Sequence, residues 1–321
     1  NVPRVDYLNN ANGSLLLEPQ RTNTVIYSED YSQYLGGVTL TTGQLAPDGT
    51  YNATKLSGTI GSSVIYRNSE SSTTASRSVY ARTVSGTGTA RLCSYFGNTN
   101  NLFTLTEEWQ RFELTNSSST GGTNFYLADF RGSQTLSEFI VWGAQSEEGS
   151  YSTSLINTSG TTATRISDSC SQTGLSDAIG QTEGTIFLDF TPKGKEALQI
   201  YYQVRTTGSS NVGQIDLRYQ SGTLRSLGSD AGVTQFAISS ADIVIGQRYK
   251  CAVRYKLNDV AFYVNGTLVG TDTSASFTSS TKSQVSFNEN LSSLIPNAEI
   301  SEAMLFTTAL TNAELATLTT L

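Results

Sequence analysis

The stretch RYKCAVRYKLNDVAFYVNGTLV, residues 248–269, decides the class of fold. Its odd positions Tyr249, Cys251, Val253, Tyr255 and Leu257 are apolar, and its even positions Arg248, Lys250, Arg254 and Lys256 are basic, with Ala252 between them. A period of two puts these sets on opposite faces of a β-strand. Asn258-Asp259 then reverses the chain into Val260 to Val264, and Asn265-Gly266, the preferred pair for a type I′ turn, reverses it again into Thr267-Leu268-Val269. The reading is a three-stranded antiparallel meander whose first strand has one apolar and one basic face.

The same alternation recurs outward in both directions. Before the meander it marks residues 24–27, 63–67, 77–84, 90–96, 109–115 and 124–130, then 184–190, 198–205, 214–220 and 235–238; after it, 299–306. Turn signals such as Pro47-Asp48-Gly49 and 85–88 separate these runs, so each short strand must bury one face against an opposing sheet. Between 157 and 183 the apolar content drops and Ser, Thr and Gly dominate, which marks a domain junction. The end of the chain departs from this pattern. Thr311-Asn312-Ala313-Glu314 is a capping box flanked by Leu310 and Leu315 at the staple positions, and it predicts a short helix over 312–319. The pattern is therefore all-β, two antiparallel sandwiches in series with a short C-terminal helix.

Composition narrows the chemistry. The 321 residues include no histidine, which removes Ser-His-Asp and Cys-His nucleophile systems and imidazole metal sites. The net charge of -7 argues against a partner held by nucleic-acid phosphates. No apolar run is long enough for a membrane helix, so no membrane insertion is expected. Cys93, Cys170 and Cys251 share no metal-ligand spacing and are expected to be thiols or small core residues.

Several motifs, taken in order, resemble bacteriophage head-fibre and tail-fibre modules. They are NGSLLLEPQRTN at 12–23, Tyr27-Ser28-Glu29-Asp30, Ala46 to Thr50, Ser78-Val79-Tyr80, Trp109-Gln110-Arg111, and Trp142-Gly143-Ala144-Gln145 with Gly149-Ser150-Tyr151. The resemblance implies a carbohydrate-binding-module-like jelly roll over 14–166, preceded at 1–13 by the end of an earlier segment or a linker. Residues 167–183 would be a linker, and 184–321 resemble a laminin-G-like or concanavalin-like jelly roll. The fold expected is thus two tandem antiparallel jelly-roll-like β-sandwiches. The implied protein is a fibre or spike component on the virion surface, extracellular, attaching the particle to its bacterial host through cell-surface glycans. Its implied partners are host glycans, other virion proteins and further copies of itself. Two other readings stay open: a purely structural fibre module, and a secreted bacterial polysaccharide-binding module.

Candidate chemistry follows from that frame. A glycosidase on such a fold needs two carboxylates about 5–5.5 Å apart if it retains configuration. The pairs Glu107-Glu108, Glu147-Glu148 and Glu299/Glu302 have the wrong parity for one strand face, and all are expected to be solvated, so no enzyme and no cofactor are expected. Jelly rolls admit a structural calcium, but no EF-hand-like loop is present, and Asn258-Asp259 reads as a turn. Trp109 and Trp142 fall in alternating strands and are expected to pack. Tyrosines near loops or on outer faces are better sugar platforms: Tyr31, Tyr34, Tyr66, Tyr95, Tyr201, Tyr202 and Tyr219. The basic strand face is the leading candidate, with Arg248, Lys250, Arg254 and Lys256 joined by Arg205 and Arg218 from neighbouring strands and by Tyr201 and Tyr219. Guanidinium forks there would pair with an anionic glycan.

Overall fold

The computed structural model describes residues 4–7, 11–68, 74–95, 101–118, 124–209, 211–287 and 295–321, and only the backbone at 68, 95 and 116–118. The chain forms two compact units, residues 21–166 and residues 1–20 together with 167–321. Both are antiparallel β-sandwiches.

Among the described residues, the 21–166 unit has two five-stranded sheets. One runs in the spatial order Leu102–Leu105, Gly88–Tyr95, Asn124–Asp129, Val64–Asn68, Leu35–Gly36. The other runs Gln110–Ser118, Thr74–Arg82, Glu138–Glu148, Ala53–Ser57, Thr39–Gln44. Alternate residues of each strand, such as Val79 and Ala81 on one sheet and Phe125 and Leu127 on the other, meet in a core where Phe130 and Phe139 stack with centroids 5.4 Å apart. Residues 24–27 do not form the strand their alternation suggests. Tyr27 makes only an isolated bridge to Ser159, and the ladder lies just upstream at Arg21–Asn23, paired with Ala163–Arg165. Phe96 lies outside the described residues.

In the other unit, a seven-stranded sheet runs Val5–Asp6, Ser14–Leu17, Ala298–Phe306, Gly184–Pro192, Tyr249–Tyr255, Val260–Val264, Thr267–Asp272. It packs on a six-stranded sheet, Ser171–Thr173, Gln284–Ser286, Leu198–Arg205, Gln214–Gln220, Thr223–Asp230, Val233–Ser239. Thr223–Asp230 has no sequence signal because its buried inner positions are Leu224, Ser226 and Gly228; a Cβ on Gly228 would stand 2.1 Å from the Phe236 ring. The meander forms as its sequence predicts, with Asn265 at φ 49° and Gly266 at φ 77° in the second turn. So does the helix Asn312–Thr319: Thr311 Oγ1 accepts from Glu314 N at 3.3 Å, and Thr311 N donates to Glu314 Oε2 at 2.7 Å.

Two sequence boundaries are corrected. Ser14–Leu17 opens no sandwich with the residues after it; it pairs with Ala298–Phe306 near the far end of the chain. Arg4 holds this edge, with Nη1 2.7 Å from Glu18 Oε2 and Nε donating to Asp168 Oδ1 at 3.1 Å. Residues 167–183 are likewise not a free linker. Ser171–Thr173 is a strand, Ile179 is core, and Gln181 donates to the carbonyls of Ser176, Ile179 and Lys282.

Lys282 completes this clasp. It is fully buried; its ammonium donates to Gln181 O at 2.5 Å and lies 5.6 Å and 5.7 Å from the Tyr255 and Phe277 ring centroids. Burial pushes its pKa down to about 8, against the opposing pull of Asp230. Between that value and the ordinary 10.5, the unfolded chain holds a proton that the folded chain has released, so stability rises with pH across this window. Above about pH 10 the sign reverses. Burial raises Tyr255 and holds Tyr202 up at about 12, so the unfolded tyrosines lose their protons first. Urea unfolding followed by circular dichroism should show the parent gaining stability relative to Lys282→Met between pH 8 and 10. A constant difference between the two proteins would refute the assignment.

Candidate functional site

The basic strand face exists, but each of its cations already has a partner, an anion for Arg248, Arg254 and Lys256 and a backbone carbonyl for Lys250. Tyr249, Cys251, Val253 and Tyr255 point into the core, while Ala252 lies beneath the C-terminal helix with Phe187, Ala261, Tyr263 and Leu315. Arg248 grips Asp189 with two hydrogen bonds, of 2.8 Å and 2.5 Å. Lys250 donates to Thr320 O at 3.0 Å. Arg254 donates to Leu310 O at 3.0 Å and to Asp259 Oδ1 at 2.5 Å, and Lys256 pairs with Glu183 at 3.0 Å. The sequence shows the cations in one run with Asp259 in the turn that follows, whereas Asp189, Glu183 and the Thr320 carbonyl that Lys250 meets come from distant parts of the chain. Asp189, for example, sits directly opposite Lys250.

The four remaining candidates do not join that face. Tyr201 is fully buried with its ring 4.4 Å from Phe190. Arg205 is buried and donates to Gln284 Oε1 at 3.3 Å, and Arg218 is buried in a paired contact with Asp216. Tyr219 is 7% exposed, under the Lys195 ammonium at 5.7 Å. Tyr31, Tyr34 and Tyr202 are also core residues, Tyr66 packs on Tyr126 with centroids 5.4 Å apart, and the side chain of Tyr95 lies outside the described residues. The expectation of solvated carboxylates fails at two positions. Glu147 is fully buried and accepts from Thr153 N at 2.9 Å and Gln145 Nε2 at 2.7 Å, and buried Glu299 pairs with Lys193 at 2.6 Å. Among the described residues, no group of three or more His, Cys, Asp or Glu could hold a metal ion.

A different surface carries an aromatic cluster in which Tyr80 and Trp109 are half-buried and Trp142 is nearly covered. On the sheet containing Thr74–Arg82, the residues between core-facing Val79 and Ala81 point outward, so register places Arg111, Tyr80 and Trp142 side by side across three strands. Tyr80 and Trp142 rings lie 5.3 Å apart at 59°, and the Arg111 guanidinium is 5.6 Å from the Tyr80 centroid. Next to them the Arg82 guanidinium sits 5.4 Å from the half-buried ring of Trp109. Ala46, Ala53, Ile140 and Leu155 complete the apolar cluster. Both tryptophans therefore pack as expected, but on the outer face of the sheet. Trp142 is 7% exposed, with an indole N–H that has no hydrogen-bond partner among the described residues.

The backbone shapes this platform. A bulge follows Trp142, where Gly143 takes φ +67°; a Cβ there would stand 2.8 Å from Leu155. The rim segment holding Leu155 is pinned from below. Gln145 Oε1 accepts from Ile156 N at 2.6 Å, its Nε2 donates to Thr153 O at 3.1 Å, and Arg111 donates to Thr153 O at 2.7 Å. Buried Glu147 thus orients a loop. The alternation of residues 77–84 was legible in the sequence, but the convergence of three strands was not.

No family model matches the chain, and no curated protein matches it. Solved structures similar to it include a heptameric SAP-like pentraxin from Limulus polyphemus, at 18% identity over 42% of this chain and 68% of that one, with a TM-score of 0.36. They also include the CBM40 of the Ruminococcus gnavus IT-sialidase, at 16% identity over 49% and 95%, with a TM-score of 0.40. A botulinum neurotoxin type C structure matches at 15% identity over 45% and 36%, with a TM-score of 0.36.

The pairing of the basic face makes its residues structural, and unequally so. Arg254, buried and bonded to two acceptors, should cost about 1.5–3 kcal/mol on replacement by alanine, the range for a hydrogen bond to a charged group. Lys256→Ala breaks only an exposed pair and should change stability by less than about 1 kcal/mol. Denaturant midpoints of the two variants measure the contrast; equal midpoints would put Arg254 back among free surface cations.

Proposed function

We propose that this chain is a non-enzymatic attachment module of a virion surface fibre or spike, and that it holds bacterial cell-surface glycans on the outer face formed by Trp109, Tyr80 and Trp142. The observation that carries the reading is the aromatic platform itself. Flat rings suit the apolar faces of pyranoses, and Arg82 beside Trp109 supplies a planar donor for hydroxyl or carboxylate groups, while Arg111 is held by Ser78, Thr153 O and Glu113 and braces the Tyr80 ring. The pinned Leu155 segment makes the platform a preformed surface, which limits the ordering cost of binding. The order of fibre-like motifs along 1–166 supports the virion assignment. The fixed roles of Glu147 and Glu299 favour binding over hydrolysis, since each carboxylate is held by protein donors.

Single contacts of this kind are weak, and display in several copies multiplies them by roughly 10²–10⁴ through effective concentration. The oligomeric partner in this reading is a second copy of the chain on the same particle. Binding of a tetravalent display of residues 1–321 to bacterial cells and to immobilised glycans tests the proposal. Trp109→Ala should weaken binding about tenfold, the change that about 1.4 kcal/mol produces. Lys256→Ala should leave binding unchanged. Undiminished binding by the Trp109 variant would overturn the assignment of this face.

A further inference from the structure

The second unit carries a groove of ≈ 640 Å³ beneath the loop 239–247, closed on its other side by Val264–Val269 of the meander. That size lies within the ordinary range for small-molecule sites. Its apolar floor comes from Leu224, Val264 and Val269. The walls present polar groups that the fold leaves unspent. Gln247 makes no side-chain hydrogen bond among the described residues, and neither does the hydroxyl of Thr267. Asn265 uses only Oδ1, accepting from Lys250 N at 2.9 Å, so its Nδ2 is open.

The one charged lining residue is already neutralised. Asp242 accepts from Lys195 Nζ at 2.8 Å, so the carboxylate that lines the groove is already paired with a cation. Charged ligands therefore gain no unpaired partner there. Planar amides and a hydroxyl above an apolar floor match the alternating hydroxyl and C–H surfaces of a neutral sugar.

We infer that this groove is a second saccharide site, one that takes a short uncharged oligosaccharide. It relies on the glycan-binding reading only for the class of ligand, because it shares no residue with the aromatic platform.

The test uses residues 1–321 in four forms: parent, Trp109→Ala, the double variant Gln247→Ala/Thr267→Ala, and all three changes combined. Saturation-transfer NMR and titration calorimetry would follow neutral di- and trisaccharides of glucose, galactose and N-acetylglucosamine, with sialyllactose as the charged control, at low and high salt. The double variant should lose at least tenfold in affinity for one or more neutral ligands, with little salt dependence and an unchanged unfolding midpoint, since Gln247 and Thr267 are exposed. The loss should persist in the Trp109→Ala background. Ser239→Trp, which fills the groove, should reproduce it. Parent-like affinity in the double variant, neutral binding abolished by Trp109→Ala alone, or no neutral binding by the parent would each overturn the second site. If the groove variants lose binding and Trp109→Ala does not, the platform falls and the groove stands.

Discussion

A strand in the middle of a covered sheet must satisfy two faces at once, and the strand Tyr249–Tyr255 shows what that demands. Its odd residues enter the sandwich core, where no charge is tolerated without a partner. Its even residues would present a row of cations, yet the helix Asn312–Thr319 lies over part of that row and buries Ala252 with Leu315. Arg248, Lys250 and Arg254 are therefore matched by Asp189, Thr320 O, Asp259 and Leu310 O. What reads as a binding surface in one dimension becomes the seat of a helix in three. The bonds from Arg254 and Lys250 fix both ends of the helical cover, so the charges specify the docking of the last element.

The 21–166 unit obeys the same rule with a different outcome. Its outward residues on Thr74–Arg82 and the adjoining strands are rings and guanidinium groups, and the arginines stack on the rings they flank. The result is a platform that is partly dry and partly donor-rich. A bulge at Gly143 and a buried carboxylate at Glu147 hold the neighbouring loop against it. Glu147 illustrates how a carboxylate expected in solvent can be buried and structural.

Much of the architecture is written in local pattern. The meander at 248–269, its Asn265-Gly266 turn and the capping box at Thr311 form as their sequence predicts, because each depends on neighbours within a few residues. Thr223–Asp230 escapes such reading, since Gly228 leaves room for Phe236 and so carries no apolar signal of its own. The segment 167–183 escapes it for a related reason. Its Ser and Thr content suggests a linker, whereas Gln181 and Lys282 lock it by contacts between residues distant in sequence.

The sequence by itself determined the all-β class, the two-sandwich plan, the terminal helix and the presence of a basic strand face, because period-two alternation, turn pairs and caps are local. Tertiary structure decided that Ser14–Leu17 pairs with Ala298–Phe306, that each cation of the basic face has a partner within the fold and that Tyr201 and Arg205 are interior. It also decided that Arg111, Tyr80 and Trp142 share one surface. Those outcomes turn on strand register, which pairs residues scores of positions apart and decides for every charge and ring whether it meets water, a partner or the core.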